Sequence, residues 1–110
     1  MINFSANCIT LSGRVIELDY PILEAYQSTD RILILYDPDS YKIKTGQFNN
    51  LLCLNIIGEK LWVAELPTTQ SGDCYYKIKS INPLIAYSIN SFICEVDTVS
   101  GKILNKEFIK

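Results

Sequence analysis

Short runs of apolar residues, separated by turn-forming residues, extend along most of this chain. The runs are rich in Ile, Leu, Val and Tyr, and Gly, Pro, Asn, Asp or Ser bounds them, a pattern typical of strands and turns. The pattern predicts strands at residues 8–11, 14–18, 31–36, 51–56, 60–66, 75–81, 84–88, 92–97 and 102–108. We therefore expect an all-β fold.

One segment favours a different local structure. Ile22–Ser28 follows Pro21 and contains the good helix formers Leu, Glu and Ala, so we expect a helical turn there, too short to be a stable helix alone. Pro, Asp, Ser, Thr, Gly and Asn cluster in residues 37–50 and 67–73. These two segments are predicted to be the longest loops.

A hairpin pattern occurs twice along the chain. LLCLNIIGEKLWVAEL and FICEVDTVSGKILNKEF each place a polar turn opener, Asn55 or Asp97, after an apolar strand. A glycine and a lysine follow, and a second strand begins. The side chains of Asn55 and Asp97 can bond forward to backbone amides and start a reversal, while Gly58 and Gly101 supply a positive φ. We expect a β-hairpin at each site.

The spacing of the two hairpins indicates a repeat. Gly58 and Gly101 are 43 positions apart, Cys53 and Cys94 are 41 apart, and a fainter copy surrounds Gly13, 45 positions before Gly58. Each full hairpin also follows a further apolar strand. Periods of 40 to 45 residues with several strands per unit are typical of propeller-type repeats.

The strings NLLCLNIIGEKLW and FICEVDTVSGKIL resemble the blade hairpins of quinoprotein-type β-propellers. Residues 9–66 also resemble a group of short uncharacterised bacterial proteins built on the same elements. The resemblance implies that Trp62 occupies the place of a buried aromatic residue. A quinone cofactor binds at the axis of a closed propeller, so the resemblance implies no cofactor for this chain.

A closed propeller needs about four or more blades, and this chain holds two full units and part of a third. A closed propeller within one chain is therefore excluded. We expect two to three propeller-like units of antiparallel hairpins that form a small sandwich or an open barrel. A monomer is favoured, and a symmetric homodimer is the next alternative.

Length and charge narrow the function classes. With 110 residues and 48% hydrophobic residues, the chain is expected to form one domain, residues 1–110. Its 10 basic and 12 acidic residues give a net charge of -2, which argues against nucleic-acid binding and permits a basic protein partner. Because no signal sequence or apolar run of spanning length is present, we expect a cytoplasmic protein that does not bind membranes.

Chemistry-bearing residues are sparse. The chain has no histidine, which removes Ser-His and Cys-His nucleophilic pairs, and its four cysteines form no Cys-x-x-Cys pair, which argues against zinc. Cys53 and Cys94 lie inside apolar runs and are expected to be buried thiols. Several carboxylates remain as candidate acids and bases: Asp37, Asp39, Glu59, Glu65, Asp73, Glu95 and Asp97. The string DPDS around Asp37 and Asp39 is more typical of a turn than of a catalytic or metal site.

The loop at residues 37–50 is the predicted binding segment, because loops on a rigid sheet often carry binding residues. Seven tyrosines could form a recognition surface, although half-buried strands also favour tyrosine. The candidate binding residues in the loop are Asp37, Asp39, Tyr41, Lys42, Lys44 and Phe48. No catalytic or metal-binding residue is predicted.

Three functions fit these observations. The first is a non-catalytic protein-protein interaction module, such as an immunity protein that neutralises a basic toxin domain. The second is a structural subunit of a larger β assembly. The third is a small ligand-binding protein or carboxylate-dependent enzyme with a pocket between its sheets.

Overall fold

The computed structural model describes residues 2–40 and 46–109 of the chain. Pro38–Ser40 forms a short 3-10 turn, and the other regular elements of the described residues are strands. In chain order the strands are β1 (Phe4–Ser5), β2 (Cys8–Leu11), β3 (Arg14–Glu17), β4 (Ile22–Ser28), β5 (Arg31–Tyr36), β6 (Leu51–Asn55), β7 (Lys60–Val63), β8 (Tyr75–Ile81), β9 (Leu84–Ser88), β10 (Phe92–Val96) and β11 (Ile103–Phe108).

The strands form three antiparallel sheets. The N-terminal sheet has the order β1-β2-β3, the middle sheet β4-β5-β6-β7 and the C-terminal sheet β11-β10-β9-β8. In each of them, strands that are consecutive in the chain are neighbours in the sheet, as in a series of hairpins. The described parts of the chain include no helix long and apolar enough to span a bilayer.

The middle sheet is buried on both faces. One face carries Ile32, Ile34, Leu52 and Leu54, which pack with Ile9 and Leu11 of the N-terminal sheet in a first core. The opposite face packs against the C-terminal sheet in a second core, which contains Leu33, Leu35, Leu51, Cys53, Trp62, Leu84, Ala86, Cys94 and Val96. Because neighbouring residues on a strand point to opposite faces, the apolar runs of β5 and β6 supply both cores.

The predicted fold class is confirmed. The described chain is all-β, and its antiparallel hairpins stack as sheets instead of closing into a barrel. The predicted strands occur with bounds shifted by up to three residues, and β1 is an additional strand that the sequence pattern missed. Trp62 is buried in the second core, as predicted.

The predicted helical turn at Ile22–Ser28 is wrong. This segment is strand β4, which pairs with β5 from Ile22 opposite Tyr36 to Ser28 opposite Arg31. Its buried residues, Ile22 and Ala25, join the first core. Burial and the ladder of hydrogen bonds outweigh helix propensity, which differs by well under about 1 kcal/mol per residue among ordinary residues.

The middle and C-terminal sheets repeat one arrangement. The Asn55 side chain accepts a hydrogen bond from the Ile57 backbone N–H at 3.1 Å, and Asp97 accepts one from Val99 at 2.9 Å. The two turn openers are thus equivalent, and they lie 42 positions apart.

The spacing of the cysteines suggested that Cys53 and Cys94 occupy equivalent positions of the repeat. The hairpin register shows that they do not. With Asn55 equivalent to Asp97, Cys53 is equivalent to Glu95, while Cys94 is equivalent to Leu52. Both side chains lie in the second core. Cys53 points into it from the middle sheet, and Cys94 points into it from the C-terminal sheet. Both are buried thiols, as predicted.

Candidate functional site

The predicted binding loop begins with a well-defined acidic turn. Asp37 accepts hydrogen bonds from the Asp39 backbone N–H at 2.9 Å and, through its carbonyl oxygen, from the Ser40 hydroxyl at 2.6 Å. Asp39 is exposed and Asp37 is half-buried. The turn interpretation of DPDS is confirmed, and its carboxylates lie at the surface beside the end of β5.

Phe48, the aromatic candidate of the same loop, is buried in the first core. Its ring lies 4.9 Å from that of Tyr20 and stacks on that of Tyr36 at 6.3 Å. The ring fixes the returning end of the loop against the core and offers little surface to a partner. The three remaining candidates, Tyr41, Lys42 and Lys44, lie outside the described residues.

Several of the other carboxylates have structural partners. Asp73 is fully buried and accepts hydrogen bonds from the Thr68 hydroxyl at 2.6 Å and the Ser88 hydroxyl at 2.7 Å. Glu65 accepts one from the Ile103 backbone N–H at 2.8 Å. Within residues 2–40 and 46–109, no cluster of three or more Cys, Asp or Glu side chains could hold a metal ion.

The buried cysteines are poorly placed to act as nucleophiles. Burial raises the pKa of the Cys53 thiol and that of the Cys94 thiol above the ordinary value. A thiol with a raised pKa is protonated at neutral pH, and the thiolate is the reactive form. Both cysteines therefore act here as small apolar groups.

Among the described residues, the C-terminal sheet has one face that no other sheet covers, and we call it the outer face. Directly opposed residues of antiparallel strands point to the same face, so its side chains form two rows across the sheet. The first row runs Lys77, Tyr87, Ile93 and Glu107, and the second runs Ser80, Ile85, Glu95 and Asn105.

The inner strands of the outer face carry Ile85, Tyr87, Ile93 and the carboxylate of Glu95, and its edge strands carry Lys77 and Glu107. Tyr76 is exposed and stacks on Tyr87 with ring centroids 5.9 Å apart. A shallow depression of about 150 Å³ is lined by Ile85, Ile93, Glu95, Asn105 and Glu107. The face therefore combines aromatic and aliphatic contact area with a lysine on one edge strand and carboxylates toward the other.

The repeat relates the outer face to the face of the middle sheet that the C-terminal sheet covers. Val96 is equivalent to Leu54, and their cross-strand partners are Leu84 and Ile32, so β9 matches β5 as β10 matches β6. By this register the side chains of Ile85, Tyr87, Ile93 and Glu95 match four residues of the middle sheet, which are Leu33, Leu35, Leu51 and Cys53. In the middle sheet these positions are 0% exposed, because the C-terminal sheet covers them.

The sequence contained a signal for this face that the strand prediction did not use. A sheet with one solvated face alternates apolar and polar residues, whereas β9 reads LIAYS and β10 reads FICEV. Ile85 and Ile93 are apolar at positions where a sheet at the end of a stack normally carries polar residues. These residues make the outer face a candidate contact surface.

Comparison with known protein families gives a match over nearly the whole chain. The sequence model of a family described as a domain of unknown function (DUF7957) matches residues 1–108. No curated protein and no solved structure matches the chain.

Proposed function

The chain belongs to the DUF7957 family, whose function is unknown, and we propose that it is a non-catalytic protein-interaction module. The outer face of the C-terminal sheet supports this proposal most directly. Its positions match those that another sheet covers in the middle sheet, and it retains Ile85, Tyr87 and Ile93 there. Apolar surface of this kind is stabilised by a covering partner.

The chemistry of the described residues favours binding over catalysis. Asp73 and Glu65 accept hydrogen bonds that hold the fold together, and the buried thiols of Cys53 and Cys94 have raised pKa values. Tyrosine beside aliphatic side chains, as at Tyr76 and Tyr87, is common in protein interfaces.

Affinity capture from the native host tests the module. We compare the wild-type chain with Ile85→Glu on the outer face and with Thr10→Glu, a matched control on an outward position of the N-terminal sheet. We expect partner capture with the wild type and the control, and its loss with Ile85→Glu. Capture of the same proteins by all three chains at equal yield would contradict the proposal.

A second candidate is an immunity protein that binds a basic toxin domain in the cytoplasm. The acidic turn of Asp37 and Asp39 favours it, since exposed carboxylates attract and orient a basic partner. The net charge of -2 is compatible with such a partner, and buried cysteines that remain thiols suit a reducing compartment.

Gel filtration with a basic toxin domain encoded beside this chain tests the second candidate. We expect a complex that survives the column and is lost when Asp37→Lys and Asp39→Lys are combined. Ile85→Glu serves as the control because it alters a different surface. Separate elution of the wild-type chain and the toxin domain would exclude this function for that pair.

A further inference from the structure

We propose that the occupant of the outer face is a second copy of this chain, related by a two-fold axis that runs along the strands. The proposal rests on the proposed interaction function and names its partner. In a contact of this symmetry each copy offers the same patch, so the patch must complement itself.

The first row of the outer face has this property. Across the sheet it places Lys77 on β8, Tyr87 on β9, Ile93 on β10 and Glu107 on β11. A two-fold axis between β9 and β10 lays β8 of one copy over β11 of the other. Lys77 then faces the partner subunit's Glu107, and Tyr87 faces the partner subunit's Ile93, and each pair occurs twice.

The distances in stacked sheets allow these pairs. Facing sheets pack about 10 Å apart, and side chains from the two faces interdigitate across that gap. Lys77 and Glu107 are exposed and lie on the edge strands, so their long side chains can meet at the rim of the contact. Tyr87 and Ile93 fill its centre, where apolar burial contributes most.

The second row is less favourable for association than the first, and it limits the affinity of the dimer. Ser80 faces the partner subunit's Asn105, which allows a hydrogen bond, but Ile85 faces the partner subunit's Glu95. Burying that carboxylate beside an aliphatic group weakens association. A four-stranded face of about 19 by 17 Å is also smaller than the roughly 800 Å² per partner of a standard interface. We therefore expect a weak, concentration-dependent dimer.

Sedimentation equilibrium of the full chain at concentrations up to hundreds of micromolar tests the dimer. We expect reversible dimerisation, weakened roughly tenfold to a hundredfold by Lys77→Glu or by Glu107→Lys, since each places two like-charged pairs in the symmetric contact. The double variant Lys77→Glu/Glu107→Lys restores the pairs and is expected to recover dimerisation to within a few-fold of wild type. Glu95→Gln is expected to strengthen it.

Lys60→Glu provides the control for the change of charge. Lys60 is exposed on strand β7 of the middle sheet, which does not contribute to the outer face. We expect it to leave the dimerisation constant unchanged. Circular dichroism of every variant checks that the fold is retained.

A wild-type chain that stays monomeric at all concentrations would overturn the dimer, as would a double variant no better than the single ones. Neither result tests whether the chain is an interaction module, because the capture experiment tests that function separately. A monomeric chain that captures a different protein through Ile85 would keep the module and exclude the second copy. Failure of capture with an intact dimer would leave self-association as the only interaction through this face.

Discussion

Gly101 illustrates how one backbone position can join two sheets. It has a φ of +77°, and a Cβ built there would lie 2.6 Å from Cε3 of the Trp62 ring. The indole N–H of Trp62 donates a hydrogen bond to the Thr98 carbonyl at 2.9 Å. The turn between β10 and β11 therefore packs closely on a side chain from the middle sheet, and only glycine fits both the conformation and the space.

We expect Gly101→Ala to lower the free energy of unfolding by about 2 to 5 kcal/mol, because it combines an unfavourable φ with overpacking against the ring. Gly13→Ala is the control: its φ is +78°, but a Cβ there meets nothing within 4 Å. That change should cost about 1 to 2 kcal/mol. Urea unfolding measures both values, and equal losses would show that the ring contact is unimportant.

At the level of elements, Asn50 links the middle and C-terminal sheets just before β6. Its side-chain amide donates to the carbonyls of Tyr36 at 3.0 Å and Tyr75 at 2.7 Å. Its side-chain oxygen accepts from the Tyr75 backbone N–H at 2.8 Å. Asn50 is 0% exposed, so bulk water does not replace these hydrogen bonds when the side chain is removed.

We expect Asn50→Ala to destabilise the protein by about 2 to 4 kcal/mol, since it leaves a buried backbone N–H and two carbonyls without their partner. Asn49→Ala is the neighbouring control, because Asn49 is exposed and makes one 3.3 Å bond to the Ala64 carbonyl. Its effect should stay within about 0.5 kcal/mol. Thermal and urea unfolding both measure the difference, and similar losses for the two variants would refute the linking role.

The elements that the sequence predicted are those whose pattern is local. Turn openers such as Asn55 and Asp97 act through their own backbone, so hairpins around them follow from residue type and spacing. The helical turn predicted for Ile22–Ser28 was wrong because the structure of this segment depends on pairing with β5, and helix propensity does not include that contact. Phe48 was expected at a binding surface because it lies in a predicted loop on the sheet, whereas packing with Tyr20 places it in the core.

The outer face could not be found by scanning for reactive side chains. Lys77, Tyr87, Ile93 and Glu107 come from four strands, and only the strand register brings them into one row. Each of them is ordinary in its local sequence. A candidate surface of this kind is a property of the sheet rather than of a motif.

At the scale of the whole molecule, the middle sheet couples the two cores. Leu51 and Leu52 are adjacent on β6, yet Leu51 belongs to the second core and Leu52 to the first. Since β6 cannot unfold on one face alone, loss of either core removes the support of the other. The described residues are therefore expected to unfold in one cooperative transition.

Leu51→Ala and Leu52→Ala test this coupling. Each should lower the free energy of unfolding by about 2 to 5 kcal/mol, because both side chains are almost fully buried. Trp62 fluorescence reports on the second core and far-ultraviolet circular dichroism on all sheets. We expect the two signals to share one midpoint in each variant, whereas separate midpoints for Leu52→Ala would show that the cores unfold independently.

The doubly buried middle sheet also affects the chain while it is being synthesised. The N-terminal sheet emerges first from the ribosome and can cover one face of β5 and β6 as soon as they pair. The other face, with Leu33, Leu35 and Leu51, has no cover until β8 and β9 have been translated. A nascent chain paused between β7 and β8 therefore presents a flat apolar surface, which is the type of surface that chaperones bind and that promotes aggregation.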